Sequence, residues 1–336
     1  MKKRVSLKDI ANEVGVSTAV VSYVLNDKYE GRISEIKAEQ IKQIAKRLNY
    51  FPNHIAKSLK KDRTFTIGLI IADISNLFYS NIARYIEDEC KKHNYNVIFG
   101  SADENAEKFK ELVHVMLSRQ VDGIILAAPK DTEDTLMYLR DQGIPFVLVD
   151  RYFPEVTDIN TIGINNYLAS YAVVEHLVTN GYKKPAMVTL NADLFHMKER
   201  AVGFETACRE VLGLRQAVVV EIDEEELSDK IENQMLRLLK NGTDLVYFST
   251  NKIAMEGLAI LVKHQVKVPD EMGIICFDEA DAYKIFNTSI TFVRQPLRQI
   301  GSESVALLLA LIHGNKTAKR MVRDTCIIVG NSSAPH

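Results

Sequence analysis

Two groups of residues in this 336-residue chain have the types and spacing to do chemistry. The first is Thr18, Ala19, Ser22 and Tyr23, which share one side of segment 16–26 if that segment is helical, while Val20, Val21 and Val24 turn inward. Hydroxyl, methyl and phenol groups set out this way reach base edges and phosphates in a DNA major groove. The second group follows a series of apolar runs: residues 73–79, Asp103, Pro129, Asp150-Arg151, Asn191, Thr250-Asn251 and Asp278. Planar donors on Arg200 and acceptor oxygens on Asp278 suit the hydroxyls of a sugar, with Phe78 or Tyr79 stacking on its apolar face. GxxxxGK[ST], GxSxG, HExxH and a GxGxxG after a strand are all missing, so neither catalysis nor a cofactor nor a bound metal is expected.

The first group needs a short, well-started helix. Ser17 is its expected N-cap, since a serine hydroxyl satisfies an orphan N–H of the first turn. Gly15 closes the preceding helix, which begins at Ser6 with Asp9 as a capping-box partner and carries Ile10, Ala11 and Val14. Ser34 caps a third helix with Ile41, Ile44, Ala45 and Leu48 on one face. Helix, glycine turn and short helix form the helix-turn-helix pattern. Charge agrees. Residues 1–62 hold thirteen Lys/Arg against seven Asp/Glu, a net of +6 in a chain whose total is −2. A basic head on an acidic body fits DNA binding by the head alone.

From Thr66 the pattern changes to apolar runs alternating with amphipathic helices. Strands are expected at 67–72, 95–99, 121–128 and 145–150, and again at 186–190, 218–222, 245–249 and 273–277. Two α/β lobes with parallel sheets are the simplest arrangement, and ligands of such sheets sit beyond the carboxyl ends of the strands. The length calls for more than one domain. Apolar content of 46% with 26% charged residues is that of a globular protein. With no apolar h-region at the start and Cys90, Cys208, Cys276 and Cys326 widely spaced, a cytoplasmic protein with buried, reduced thiols is expected.

The chain resembles the LacI/GalR family of bacterial transcription regulators. The carriers are Leu7-Lys8-Asp9-Ile10-Ala11, Gly15-Val16-Ser17, Val24-Leu25-Asn26, the string Leu48-Asn49-Tyr50-Phe51-Pro52-Asn53 with Ala56-Lys57-Ser58-Leu59, and later Asp73-Ile74-Ser75-Asn76, Val121-Asp122-Gly123, Val149-Asp150-Arg151, Phe277-Asp278 and Arg294-Gln295-Pro296. The resemblance implies a small all-α helix-turn-helix head (1–52), a hinge helix and linker (53–63) and a two-lobed, periplasmic-binding-protein-like α/β effector and dimerisation domain (64–336). The N-lobe is expected at about 64–162 and 292–322 and the C-lobe at 163–291 and 323–336, with the chain crossing near Ile162, Ile290 and Val322.

The same resemblance sets DNA contacts at Ser6, Ser17, Thr18, Ala19, Ser22, Tyr23, Asn26, Tyr50, Asn53, Ala56 and Leu59. Effector contacts are expected at Phe78, Tyr79, Asp150, Arg151, Arg200, Asn251 and Asp278. The implied protein is a homodimeric repressor of double-stranded operator DNA, controlled by a small molecule such as a sugar or sugar phosphate, with no membrane role. The alternative is a sugar receptor without a DNA role. For Asp278 a plain helix N-cap, with Asp281 at N3, is an open alternative, as is an internal salt bridge for Asp150-Arg151. The chain departs from the family's usual residues at Val20, Tyr23, Asn165, Lys252 and Gly330, and its loop before Ile33 is longer.

The segment after Pro52 is too short to hold a helix alone in water, so it is expected to order only against a partner. By resemblance Leu59 is the wedge that two subunits drive into the minor groove, opening a base step at a cost of about a few kcal/mol. Leu59→Ala should therefore weaken specific operator binding more than non-specific binding, because phosphate contacts survive while the bend is lost. Equal losses on operator and random duplex in anisotropy titrations would show that the leucine only anchors a linker.

Overall fold

Caps and glycines set the beginning of the chain. In the computed structural model, which describes residues 5–29, 32–50, 63–191, 193–315 and 318–335, the chain forms two compact units, 1–64 and 65–336. Asn53, Ala56 and Leu59 lie outside the described residues. In the first unit Ser6 caps α1 (Leu7–Val14) in a complete capping box with Asp9. Gly15 ends that helix at φ +73°, where a side chain would be strained. Ser17 caps α2 (Thr18–Leu25), its hydroxyl accepting from the N–H of Val20, and Ser34 caps α3 (Glu35–Arg47). Ile10, Val21, Val24 and Ile41 are fully buried at the centre of the three helices.

The second unit holds two six-stranded sheets. The first lobe runs β1 (Thr66–Ile71), α4 (Leu77–Lys92), β2 (Asn96–Ser101), α5 (Ala106–Ser118), β3 (Gly123–Leu126), α6 (Glu133–Asp141), β4 (Phe146–Val149) and β5 (Asn160–Ile164). The second runs α7 (Asn166–Thr179), β6 (Pro185–Leu190), α8 (Phe195–Glu210), β7 (Val218–Ile222), α9 (Leu227–Lys240), β8 (Leu245–Phe248), α10 (Asn251–Lys263), β9 (Gly273–Phe277) and β10 (Thr291–Arg294). The chain then returns through α11 (Leu297–Ile312) and β11 (Arg320–Arg323) and ends with β12 (Cys326–Ile328). Strand order is β11-β5-β4-β3-β1-β2 in one sheet and β12-β10-β9-β8-β6-β7 in the other. All pairings are parallel except β10 with β12. The central strands β3, β4, β8 and β9 are buried along their whole length, as a sheet covered by helices on both faces demands.

The three crossings between lobes come later than expected. β5 completes its pairing with β4 and β11 before the chain leaves at Asn165, so Ile162 is inside the first sheet. Thr291 to Val293 pair with β9, which moves the second crossing from Ile290 to Gln295-Pro296. Val322 pairs with Gly163 in β11, and the third crossing follows at 324–325. A strand finishes its ladder before it departs, because a half-paired buried strand would strand its amides. One thiol also differs from expectation: Cys90, Cys208 and Cys276 are buried, whereas Cys326 is exposed.

Helices α7 and α8 pack closely because Gly203 has no side chain: a Cβ there would meet the Tyr167 carbonyl oxygen at 2.2 Å. Neither backbone can yield without moving a helix. Gly203→Ala should cost about 1–3 kcal/mol by overpacking, despite alanine's better helix propensity, and urea unfolding with unchanged slope is the measurement. A stabilised variant would mean that the two helices separate freely.

Candidate functional site

The strand ends meet in a cleft of about 390 Å³ between the two lobes. Phe78, Tyr79, Asp150, Arg151, Arg200 and Asp278 all line it; Asn251 does not. The Asn251 amide instead donates to the Asn76 side chain of the other lobe at 3.3 Å, and Asn76 also caps α4. A larger open groove of about 840 Å³ shares only Phe78, Asp278 and Gln295 with the cleft and runs out along α4 and α11, away from the other strand ends.

Each lobe contributes an aspartate directly after its fourth strand: Asp150 after β4 at φ +69° and Asp278 after β9 at φ +68°. A left-handed residue at the strand's end turns the chain sharply, and aspartate tolerates that conformation better than most residues. Asp278 is no helix cap, since the following short helix (Asp281–Ile285) has Ala280 at its N-cap. Its Oδ1 accepts from the buried Gln295 amide at 2.7 Å. Burial pushes the Asp278 carboxyl up to about 6, more than the attraction of Arg200 and the Gln295 hydrogen bond offset. Burial likewise raises Asp150 against the pull of Arg151 and Arg200.

Arg151 answers its alternative in both ways, lining the cleft while forming an internal ion pair. Its Nη1 and Nη2 donate to the Glu104 carboxylate at 2.8 and 2.5 Å, Nη1 also to the Ala128 carbonyl, and Nε to the Tyr79 hydroxyl at 3.0 Å. Tyr79 in turn donates to Asp150 at 2.8 Å. Arg200 is buried across the cleft: Nε donates to Asn166, Nη1 to the Ser249 carbonyl, and the guanidinium lies 3.5 Å from the Phe277 ring centroid. Beside it, burial and the two arginines push His196 well below its ordinary range, so the imidazole is neutral. Lys252, where the family often has aspartate, is in an ion pair with Glu224 at the cleft's edge.

Sequence reasoning missed Glu104, His196 and Gln295. Glu104 adjoins Asp103, which it did single out, and Gln295 stands there only within the family string; for both, only folding reveals the partner. In the head, Thr18, Ala19 and Tyr23 are exposed as expected, and the Arg32 guanidinium lies 5.9 Å from the Tyr23 ring centroid. Ser6 and Ser17 are exposed with their hydroxyls engaged in capping. Ser22 and Asn26 are half-buried, the Asn26 amide donating to the Ser22 carbonyl at 2.7 Å, and Tyr50 packs against the helical core.

The family model for bacterial regulatory proteins of the lacI family matches residues 6–53, and that for periplasmic binding proteins and the sugar-binding domain of the LacI family matches residues 64–331. The chain belongs to the LacI family. This LacI-family protein is a DNA-binding transcription regulator, with a helix-turn-helix head and an effector-binding body. It is 31% identical to the probable HTH-type transcriptional regulator EndR of Paenibacillus polymyxa, over 91% of this chain and 90% of that one. It is 32% identical to the HTH-type transcriptional regulator RegA of Clostridium saccharobutylicum, over 92% of each. The Lac repressor dimer bound to operator and the anti-inducer ONPF shares its fold at a TM-score of 0.85 and 21% identity, covering 99% of this chain and 100% of that one. The CelR–cellobiose complex does so at 0.71 and 22%, covering 98% and 100%. No helix among the described residues is long and apolar enough to cross a membrane.

Asp278 gives this regulator a pH signature. A carboxyl held at about 6 when folded, against about 3.9 unfolded, binds its proton more tightly in the native state. Its contribution to stability is therefore present below pH 4 and is lost as the pH rises towards 6. Asp278→Asn should remove that loss, so the wild type declines relative to the variant between pH 4 and 6.5 in thermal melts. Parallel curves would show that the carboxyl is not desolvated.

Proposed function

We propose that this chain is a homodimeric repressor that binds a pseudo-palindromic operator and releases or tightens on it when a small carbohydrate enters the inter-lobe cleft. The observation that carries this is the cleft itself. Two lobes of one chain, joined by three crossings, bring two aspartates, two arginines and two aromatic rings to one cavity, and the same chain carries a basic helix-turn-helix head. Polar side chains that converge on buried aromatics suit a polyhydroxylated ligand. That the relatives named above are transcription regulators supports a binding function without catalysis, exercised in the cytoplasm where operator DNA lies. The effector acts by binding one lobe arrangement better than the other, since a ligand shifts a conformational equilibrium only by its differential affinity.

The head's basic residues bind DNA partly by releasing counterions. For six to ten phosphate contacts, operator affinity should fall roughly 10³- to 10⁵-fold between 50 and 200 mM salt. Anisotropy titrations with the full chain and with residues 1–62 removed are the test. A flat salt dependence, or affinity that survives the truncation, would overturn DNA binding by the basic head, and no operator binding by the full chain would leave the receptor reading in its place.

A further inference from the structure

The strong hydrogen-bond donors of the cleft are largely spent inside the protein, and its strongest acceptors are not. All three guanidinium nitrogens of Arg151 are bonded to Tyr79, Glu104 and the Ala128 carbonyl. Arg200 has Nε and Nη1 committed to Asn166 and the Ser249 carbonyl, and Lys252 is paired with Glu224. By contrast, Asp150 Oδ1 and Asp278 Oδ2 accept no hydrogen bond among the described residues, although their sister oxygens do. The Asp150 side chain is only 7% exposed, yet neither oxygen is sealed off: both keep contact with the solvent of the cleft. A carboxylate oxygen that opens onto the cleft and has no donor from the protein is available to accept one from a ligand.

Charge points the same way. Seven carboxylates but only four Lys/Arg line the cleft, and the His196 imidazole there is neutral. An added phosphate or carboxylate would find few uncommitted cations and would face the carboxylates across a partly desolvated gap. A hydroxyl meets no such opposition, because it donates to an aspartate and accepts from what remains of Arg200.

We propose that the effector is an uncharged, hydroxyl-rich molecule held by donation to Asp150 and Asp278, and that its phosphorylated or carboxylated counterparts are excluded. This rests on the carbohydrate reading above and narrows its chemical class. Like-charge opposition acts here as the selecting element.

The test uses full-length protein at pH 7.5 with matched probes: hexoses, pentoses and their disaccharides in one arm, and the corresponding sugar phosphates and uronic acids in the other. Thermal shift finds binders and calorimetry ranks them. The expected result is at least one neutral binder whose anionic counterpart binds about tenfold or more weakly. An anionic probe that binds as tightly as, or more tightly than, its neutral partner overturns the charge assignment and leaves the carbohydrate reading standing. No binder in either arm overturns both. Asp278→Asn, with Asp150→Asn as the second variant, should weaken the neutral binder about tenfold and narrow the gap between the arms. Variants that fold normally and leave the gap unchanged overturn the assignment as well.

Discussion

A buried guanidinium has to be satisfied where it lies, and Arg200 is that constraint in this protein. It is 3% exposed, and its place beneath the cleft ties together parts that are far apart in sequence. Asn166 fixes it to the start of α7, the Ser249 carbonyl to the end of β8, and the Phe277 ring to the end of β9. Each bond to a charged donor is worth about 1.5–3 kcal/mol, and leaving one unmade costs more than making it gains. The same cation is the largest compensation for the burial of Asp278 and contributes to holding Asp150 in check. Without it, two partly desolvated carboxyls would face each other with little positive charge on that side of the cleft. Structure and ligand chemistry are thus one arrangement here: the cation that keeps the second lobe's strand ends in register also sets the field in which a ligand binds.

The lobes solve the same geometric problem twice. In each, the fourth strand ends in a left-handed aspartate, and in each a polar side chain from elsewhere fixes that aspartate's orientation: Tyr79 for Asp150, Gln295 for Asp278. Gln295 sits at a crossing between lobes, so the carboxylate it holds is tied to the segment on which the lobes hinge. Tyr79 belongs to α4, whose N-cap Asn76 reaches Asn251 across the cleft.

Local features were legible in the sequence and remote ones were not. Ser6, Ser17 and Ser34 announce three helices because a cap is satisfied within a few residues, and Gly15 announces a turn for the same reason. The runs at 245–248 and 273–277 stand out as strands because burial on both faces leaves no polar position in the middle. The pairing of Arg151 with Glu104 spans 47 residues and that of Gln295 with Asp278 spans 17. Nothing in either stretch marks its partner, because such pairs are chosen by the packing of the lobes. The crossings were misplaced for a related reason. An apolar residue such as Ile290 or Val322 reads the same at the edge of a sheet as at its exit, and only the ladder tells them apart. Asn251 looked like a ligand contact by its position after a strand, yet its amide spans the lobes instead.

Contacts across the cleft determine how a small ligand could do mechanical work. Besides the Asn76–Asn251 hydrogen bond, Tyr152 after β4 meets Phe195 at the start of α8 edge-on, with ring centroids 5.4 Å apart, and the Arg320 guanidinium of β11 lies over that tyrosine at 3.9 Å from its centroid. Among the described residues these polar and aromatic links are small, the aromatic pair worth about 0.5–1.5 kcal/mol beyond its buried area, and they add to an apolar core that is continuous between the lobes. The three crossing segments carry the covalent connection, but they do not by themselves fix the angle between the lobes. A ligand that joins Asp150 of one lobe to Asp278 of the other adds hydrogen bonds to charged groups, each stronger than the native amide link. The balance between lobe arrangements therefore lies within reach of a molecule with two or three well-placed hydroxyls.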